Sequence, residues 1–213
     1  MHKLYIADVS GIEDDGRFTA MCRELPLYRQ EKIESQKFFR DRRLSLQAGI
    51  LQNEALSDFL RGCGIPVPET LSEIPVCFSR YGKPYYPEYP DFHFNISHSG
   101  TKVFCISSDR ECGCDVEEIK AVRPEVAGRI MTDAEYHLFE TAENRNEFFC
   151  RVWTLKESIL KAIGTGLGTP MDEIQVIDSA GQLCRCVSFG DSRYSPAVID
   201  RKDGYCYSVC TET

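Results

Sequence analysis

Apolar positions recur in two rhythms along this chain, and the switches between them set the expected elements. Lys3 to Val9 alternates with period two and reads as a strand. Asp14-Asp15-Gly16 reads as a turn, and Leu27 to Phe39 as a charge-rich helix. From Arg42 to Leu60, the residues Leu44, Ala48, Leu51, Ala55 and Phe59 hold one helical face. Gly62 and Gly64 stop that helix, and Pro66 and Pro68 fix an extended connector. Cys77 to Ser79 is a short strand, and Tyr81 to Pro87 an ordered, proline-rich loop. Phe92, Phe94 and Ile96 then alternate, Ser97 to Gly100 turns, and Val103 to Ser107 forms the next strand.

The second part repeats this grammar. Gly113 to Glu117 follows a turn at Asp109-Arg110 and reads as a strand. Thr132-x-x-Glu135 is a capping box opening a helix through Phe139, and Glu140 to Asn146 is a polar loop. Arg151 to Gly166 predicts a helix with two stripes. Val152, Leu155, Ile159 and Ala162 or Ile163 point inward, while Trp153, Glu157 and Lys161 line a neighbouring stripe. Gly164 and Gly166 suit its end. Strand-like pieces close the chain at Glu173 to Ile177, Leu183 to Phe189, Ala197 to Ile199 and Tyr205 to Cys210. The expected class is α+β, built as two similar α/β halves in tandem, 1–108 and 109–213.

Composition narrows the function classes. The 213 residues are 42% hydrophobic, ordinary for a globular chain. A net charge of −8 argues against general nucleic-acid binding, so any anionic ligand must meet a local basic patch. No apolar run approaches membrane-spanning length, and the first ten residues read as a strand rather than a signal peptide. None of the 11 cysteines lies in a CxxC pair; the closest spacings are Cys112-x-Cys114, Cys184-x-Cys186 and Cys206-x-x-x-Cys210. An odd count in apolar stretches fits free thiols in a reducing cytoplasm better than a disulfide framework or a zinc site.

The candidate chemistry begins with Asp115 and Glu117. On a strand they face the same side, with Cys114 and Val116 on the other. Two like charges side by side repel, and a solvated strand edge would tolerate them. Inside an apolar hairpin they call for a cation. With Glu157 added, three carboxylates offer the oxygen ligands of Mg2+. Cations for a phosphate ligand are available at Arg40, Arg42 and Arg43, at Lys83 and at His98. Ser97, His98, Ser99 and Gly100 form an expected turn whose hydroxyls and N–H groups suit an anion. For each residue alone, the plainer reading is a surface charge, a solvated ion pair or a satisfied loop histidine.

Taken in order, FNISHSG, GCDVEE and WTLKESILKAIGTGL closely resemble the 4′-phosphopantetheinyl transferases of the Sfp type. YGKP and RRLSLQAGIL fit the same pattern, so the resemblance runs from about Arg40 to Leu167. It implies a pseudo-twofold pair of α/β halves with the active site in the cleft between them. It implies coenzyme A as donor, the serine of an apo acyl or peptidyl carrier protein as acceptor, and Mg2+ as cofactor. Asp115, Glu117 and Glu157 would be the metal ligands, with Glu157 and Lys161 catalytic. Arg43, Lys83, Ser97 and His98 would meet the phosphates of coenzyme A, with Lys32 a candidate for a further N-terminal lysine. A cytoplasmic monomer acting on neither nucleic acid nor membrane is the expectation. Two other classes stay open: a binding module that holds coenzyme A or a carrier without turnover, and an interaction domain whose charges are merely solvated.

Overall fold

The computed structural model describes residues 2–165 and 169–213, and the chain divides into two compact units, Met1–Asp109 and Arg110–Thr213. The first unit contains β1 (Lys3–Asp8), α1 (Gly16–Arg23), α2 (Leu27–Ser35), α3 (Phe39–Gly62), β2 (Cys77–Phe78), β3 (Pro84–Tyr85), β4 (His93–Ser99) and β5 (Lys102–Ser108). Its main sheet is antiparallel in the order β1-β5-β4, with Tyr5 opposite Cys105 and Ile96 opposite Cys105 on the other side. Helix α3 lies on this sheet because its stripe of Leu44, Ala48, Leu51 and Ala55 meets Tyr5, Val103, Cys105 and Phe94 in one apolar core. The opposite side of α3 presents Leu46 to Phe18, Leu25 and Ile33. The helix is therefore sandwiched, which is why it carries apolar residues on two faces.

Three expectations change here. The Asp14-Asp15-Gly16 turn is a helix start: the Asp15 carboxylate accepts from the N–H groups of Arg17 and Phe18 and caps α1. The helix expected over Leu27 to Phe39 breaks at Gln36, whose backbone is extended, and α3 begins at Phe39 rather than Arg42. The turn expected at Ser97 to Gly100 is mostly strand. β4 continues through Ser99, and the chain reverses at Gly100, whose φ of +58° a side chain would resist.

The second unit contains β6 (Cys112–Glu118), α4 (Pro124–Ala127), α5 (Asp133–Thr141), α6 (Arg145–Ile163), β7 (Val187–Phe189), β8 (Ser192–Ile199) and β9 (Tyr205–Glu212). Its antiparallel sheet runs β6-β9-β8-β7, and α6 lies against β6 and β9. Val152, Leu155, Ile159 and Ala162 are buried, as their spacing predicts. The helix starts earlier than expected, because the Asn144 side chain accepts from the Glu147 N–H and caps it; most of the supposed polar loop is thus helix end. Gly164 closes it in the left-handed region at φ +77°, with its N–H on the Leu160 carbonyl. Gly166, the other expected stop, lies outside the described residues. The piece from Glu173 to Ile177 is no strand: a short 3-10 turn at Met171–Glu173 precedes a single bridge between Ile177 and Leu183.

Candidate active site

The site is built where β6 and α6 touch. Gly113 makes the contact possible: a Cβ there would lie 2.0 Å from the Ser158 carbonyl oxygen and 2.4 Å from the Ala162 nitrogen. A glycine inside a strand often marks such a close backbone approach. Because successive side chains alternate across a strand, Asp115 and Glu117 share the Gly113 face, turned toward α6. Cys114 and Val116 take the other face and are fully buried.

Lys161 then reaches Asp115, its Nζ donating to Oδ1 at 2.6 Å, with Asp115 almost entirely out of solvent. Burial opposes the lysine's charge, but the Asp115 carboxylate outweighs it and holds the Lys161 pKa above the ordinary value. Glu157, one turn back on α6, is also shifted upward, which for a carboxyl disfavours the charged form. Burial pushes its carboxyl up, the charges of Asp115 and Glu117 add to this, and Lys161 only partly offsets them. The stripe continues down the helix: Thr154 shares a hydrogen bond of 2.8 Å with Ser208 of β9, the cross-strand partner of Asp115. Phe149 and Trp153 stack with ring centroids 6.1 Å apart, so Trp153 packs along its own helix.

Three carboxylates therefore feel one another's charge, which the sequence anticipates. They do not close into a cage. Among the described residues, no three His, Cys, Asp or Glu side chains are grouped tightly enough to enclose an ion. The donor chemistry still suits a hard dication, being oxygen from three carboxylates, and added positive charge would ease the repulsion that Asp115 and Glu117 exert on Glu157.

Two important side chains escape the sequence reading. Lys156 is completely buried, and its Nζ donates to Glu135 Oε2 at 2.6 Å, to the Ile130 carbonyl at 2.7 Å and to the Met171 carbonyl at 3.0 Å. Glu135 does more than close the capping box with Thr132. Its Oε1 also accepts from the N–H groups of Val176 and Ile177, at 2.7 and 3.1 Å. The pair ties α5, α6 and the stretch after α6 together. The available signal was a lysine inside an apolar stripe, four residues after Val152 and three before Ile159.

The basic candidates of the first unit distribute unevenly. A groove of about 230 Å3 is lined by Arg29, Lys32, Phe78, Gly82 and His98 among others. Lys83 sits in the turn joining β2 and β3, held by its N–H on Ser79 Oγ and flanked by groove-lining Gly82 and Pro84. Burial lowers the Lys32 pKa and the Arg29 charge adds to it. Arg29 is anchored by Nε donating to Gln52 Oε1 at 3.0 Å. Ser97 and His98 do not share a turn. They alternate on β4, Ser97 buried and His98 exposed, so their side chains leave opposite faces. Of the three arginines in the first turns of α3, Arg40 pairs with Asp41 and Arg42 with Asp14. The Arg43 Nε, like that of Arg42, is buried and meets no acceptor among the described residues.

Residues 111–210 match the family model of the 4′-phosphopantetheinyl transferase superfamily. The 4′-phosphopantetheinyl transferase Sfp of Bacillus subtilis (strain 168) is 36% identical over 145 residues, covering 65% of this chain and 63% of its own length. Another 4′-phosphopantetheinyl transferase of Bacillus subtilis is 38% identical over 98 residues, covering 45% of this chain and 44% of its own. The L-aminoadipate-semialdehyde dehydrogenase-phosphopantetheinyl transferase of Xenopus laevis is 30% identical over 164 residues, covering 68% and 51%. The chain thus spans less than two thirds of the length of each of these relatives. The matched segment holds Asp115, Glu117, Glu157 and Lys161 together, and through it the chain belongs to the 4′-phosphopantetheinyl transferase superfamily, with relatives of the Sfp type.

Proposed function

We propose that this protein transfers the 4′-phosphopantetheine arm of coenzyme A to a serine of an apo carrier protein and releases 3′,5′-ADP. The observation that carries this reading is the pairing of a raised, half-buried Glu157 carboxyl with a Lys161 ammonium one turn away on the same helix. A pure binding module has no use for a base and an acid at that spacing.

Asp115, Glu117 and Glu157 would hold Mg2+, which would offset the negative charge of the pyrophosphate. The remaining chemistry belongs to the chain. Glu157 takes the proton of the carrier serine, directly or through water, as its oxygen attacks the phosphorus bearing the pantetheine arm. Lys161 stays protonated beside Asp115 and donates toward the leaving phosphate as negative charge develops there. Arg43, with its buried Nε, and the cationic groove around Lys32, Lys83 and His98 supply phosphate contacts. The carrier docks on the second unit around Val122 to Asn146, and the protein works as a cytoplasmic monomer.

The test is intact-mass spectrometry of apo acyl, peptidyl and aryl carrier proteins incubated with coenzyme A, Mg2+ and this protein. A gain of one phosphopantetheine on the carrier, absent without Mg2+, is the expected result. No gain on any carrier, with coenzyme A still bound, would favour the non-catalytic binder.

A further inference from the structure

Two thiols that the proposed transfer does not use meet behind the carboxylates. Cys150 on α6 and Cys206 on β9 are both buried where this helix packs on this strand. Each is also tied to backbone: Cys150 Sγ to the Glu117 carbonyl at 3.4 Å, Cys206 Sγ to the Glu147 carbonyl at 3.8 Å. Cys206 is moreover the residue directly opposite Glu117 in the β6–β9 ladder. Both cysteines thus bracket Glu117, one from the helix and one from the neighbouring strand. Cys150 is not sealed off. Cys150, Glu117, Phe149 and Trp153 line a groove of about 240 Å3 open to solvent.

We propose that Cys150 and Cys206 form a reversible disulfide on exposure to peroxide, and that this bond alters the Glu117 end of the carboxylate site. The second half rests on the function proposed above. Peroxide enters through the groove and oxidises one thiol to a sulfenic acid, releasing water. The other thiol attacks that sulfur and expels its hydroxyl as a second water. The two sulfurs together lose two electrons, the peroxide O–O bond is reduced, and both thiol hydrogens leave in the waters. The Cys150 hydrogen bond to the Glu117 carbonyl disappears with its proton, and α6 becomes covalently joined to β9. The buried Cys105, by contrast, donates to the Ile106 carbonyl beside it.

The experiment treats the full chain with hydrogen peroxide, alkylates the remaining thiols, and maps the peptides without reduction. A linked Cys150–Cys206 peptide that separates with dithiothreitol is expected. Recovery of both residues as alkylated monomers, or as sulfinic acids without linkage, overturns the bond. In the same samples, transfer to a carrier falls by about tenfold on oxidation, the scale of losing an outer partner of a metal ligand, and returns on reduction. Cys206→Ala keeps its rate under peroxide. Complete linkage with an unchanged rate overturns the effect on Glu117. A reduced protein inactive on every carrier counts against the transferase reading alone, because the peptide map still decides the bond and needs no variant.

Discussion

Gly113→Ala puts one methyl group where strand and helix are closest. Its Cβ would stand 2.0 Å from the Ser158 carbonyl oxygen, and ordinary contact begins near 3.4 Å. β6 and α6 must therefore part by roughly 1.4 Å, and the obstacle is backbone, so no rotamer change relieves it. Overpacking of this kind costs about 1–3 kcal/mol, and the upper end applies where only rigid elements can give way. The movement also opens the Asp115–Lys161 contact, now 2.6 Å, beyond hydrogen-bonding range. A displacement of about 1 Å in a catalytic constellation costs on the order of 100-fold in rate, so transfer should fall by at least that much. The control is Gly49→Ala. Its Cβ would also be tight, 2.5 Å from Leu25 Cδ1, but a leucine end can rotate away and the site is elsewhere. Urea unfolding followed by circular dichroism reads the stability, and intact-mass kinetics on a carrier read the rate. A Gly113→Ala protein as stable and as fast as wild type would show that the close approach of β6 to α6 is not what assembles the site.

Lys156→Met should destabilise the second unit by about 3–5 kcal/mol, the usual cost of stranding a buried charge, as read by urea unfolding. Adding Glu135→Leu should recover part of that loss, and no recovery would argue that the pair's backbone contacts matter more than its charges. Glu157→Gln keeps the shape and removes the base, so the transfer rate should drop by about 100- to 10,000-fold with unchanged circular dichroism. His98→Ala should weaken coenzyme A more than 3′-dephospho-coenzyme A in calorimetry; equal losses would remove His98 from the 3′-phosphate. Acid should loosen the first unit early. The Ser10 side-chain and backbone hydrogen bonds, with Lys102, hold the Asp8 carboxyl well below the usual carboxylate range. A carboxyl depressed by folding adds stability above its unfolded pKa of about 4, and that stability fades as pH falls toward the lower folded value. Asp8→Asn should flatten this part of the pH–stability curve, and an unchanged acid limb would contradict the assignment.

How much the chain's pattern discloses depends on whether the cause is local. The stripes of α3 and α6 and the Thr132–Glu135 capping box rest on neighbours within a turn or two, and they form as their spacing predicts. Asp15 misleads because an aspartate before a glycine serves a turn or a helix cap equally well. The break at Gln36 is set by packing, since Ile33 and Leu46 must face the same small core from two different helices. Lys156 is the clearest limit. Its burial makes sense only when Glu135, 21 residues upstream, arrives from another helix with the matching charge. Asp115, Glu117, Glu157 and Lys161 were legible because each belongs to a short motif, whereas the split of Ser97 and His98 across a strand follows from where the chain chooses to reverse.

The ladder between β6 and β9 has one more implication. Register here is binary. Were one residue inserted between Glu111 and Asp115 while the pairing before it stayed fixed, the acidic side chains would swap places with Cys114 and Val116, and greasy groups would confront Lys161. Half-measures do not exist in such a lattice. Length changes are tolerable in the hairpin turns at the far edge of the sheet, but the count of residues leading into Asp115 is as much a part of the proposed site as the carboxylates themselves.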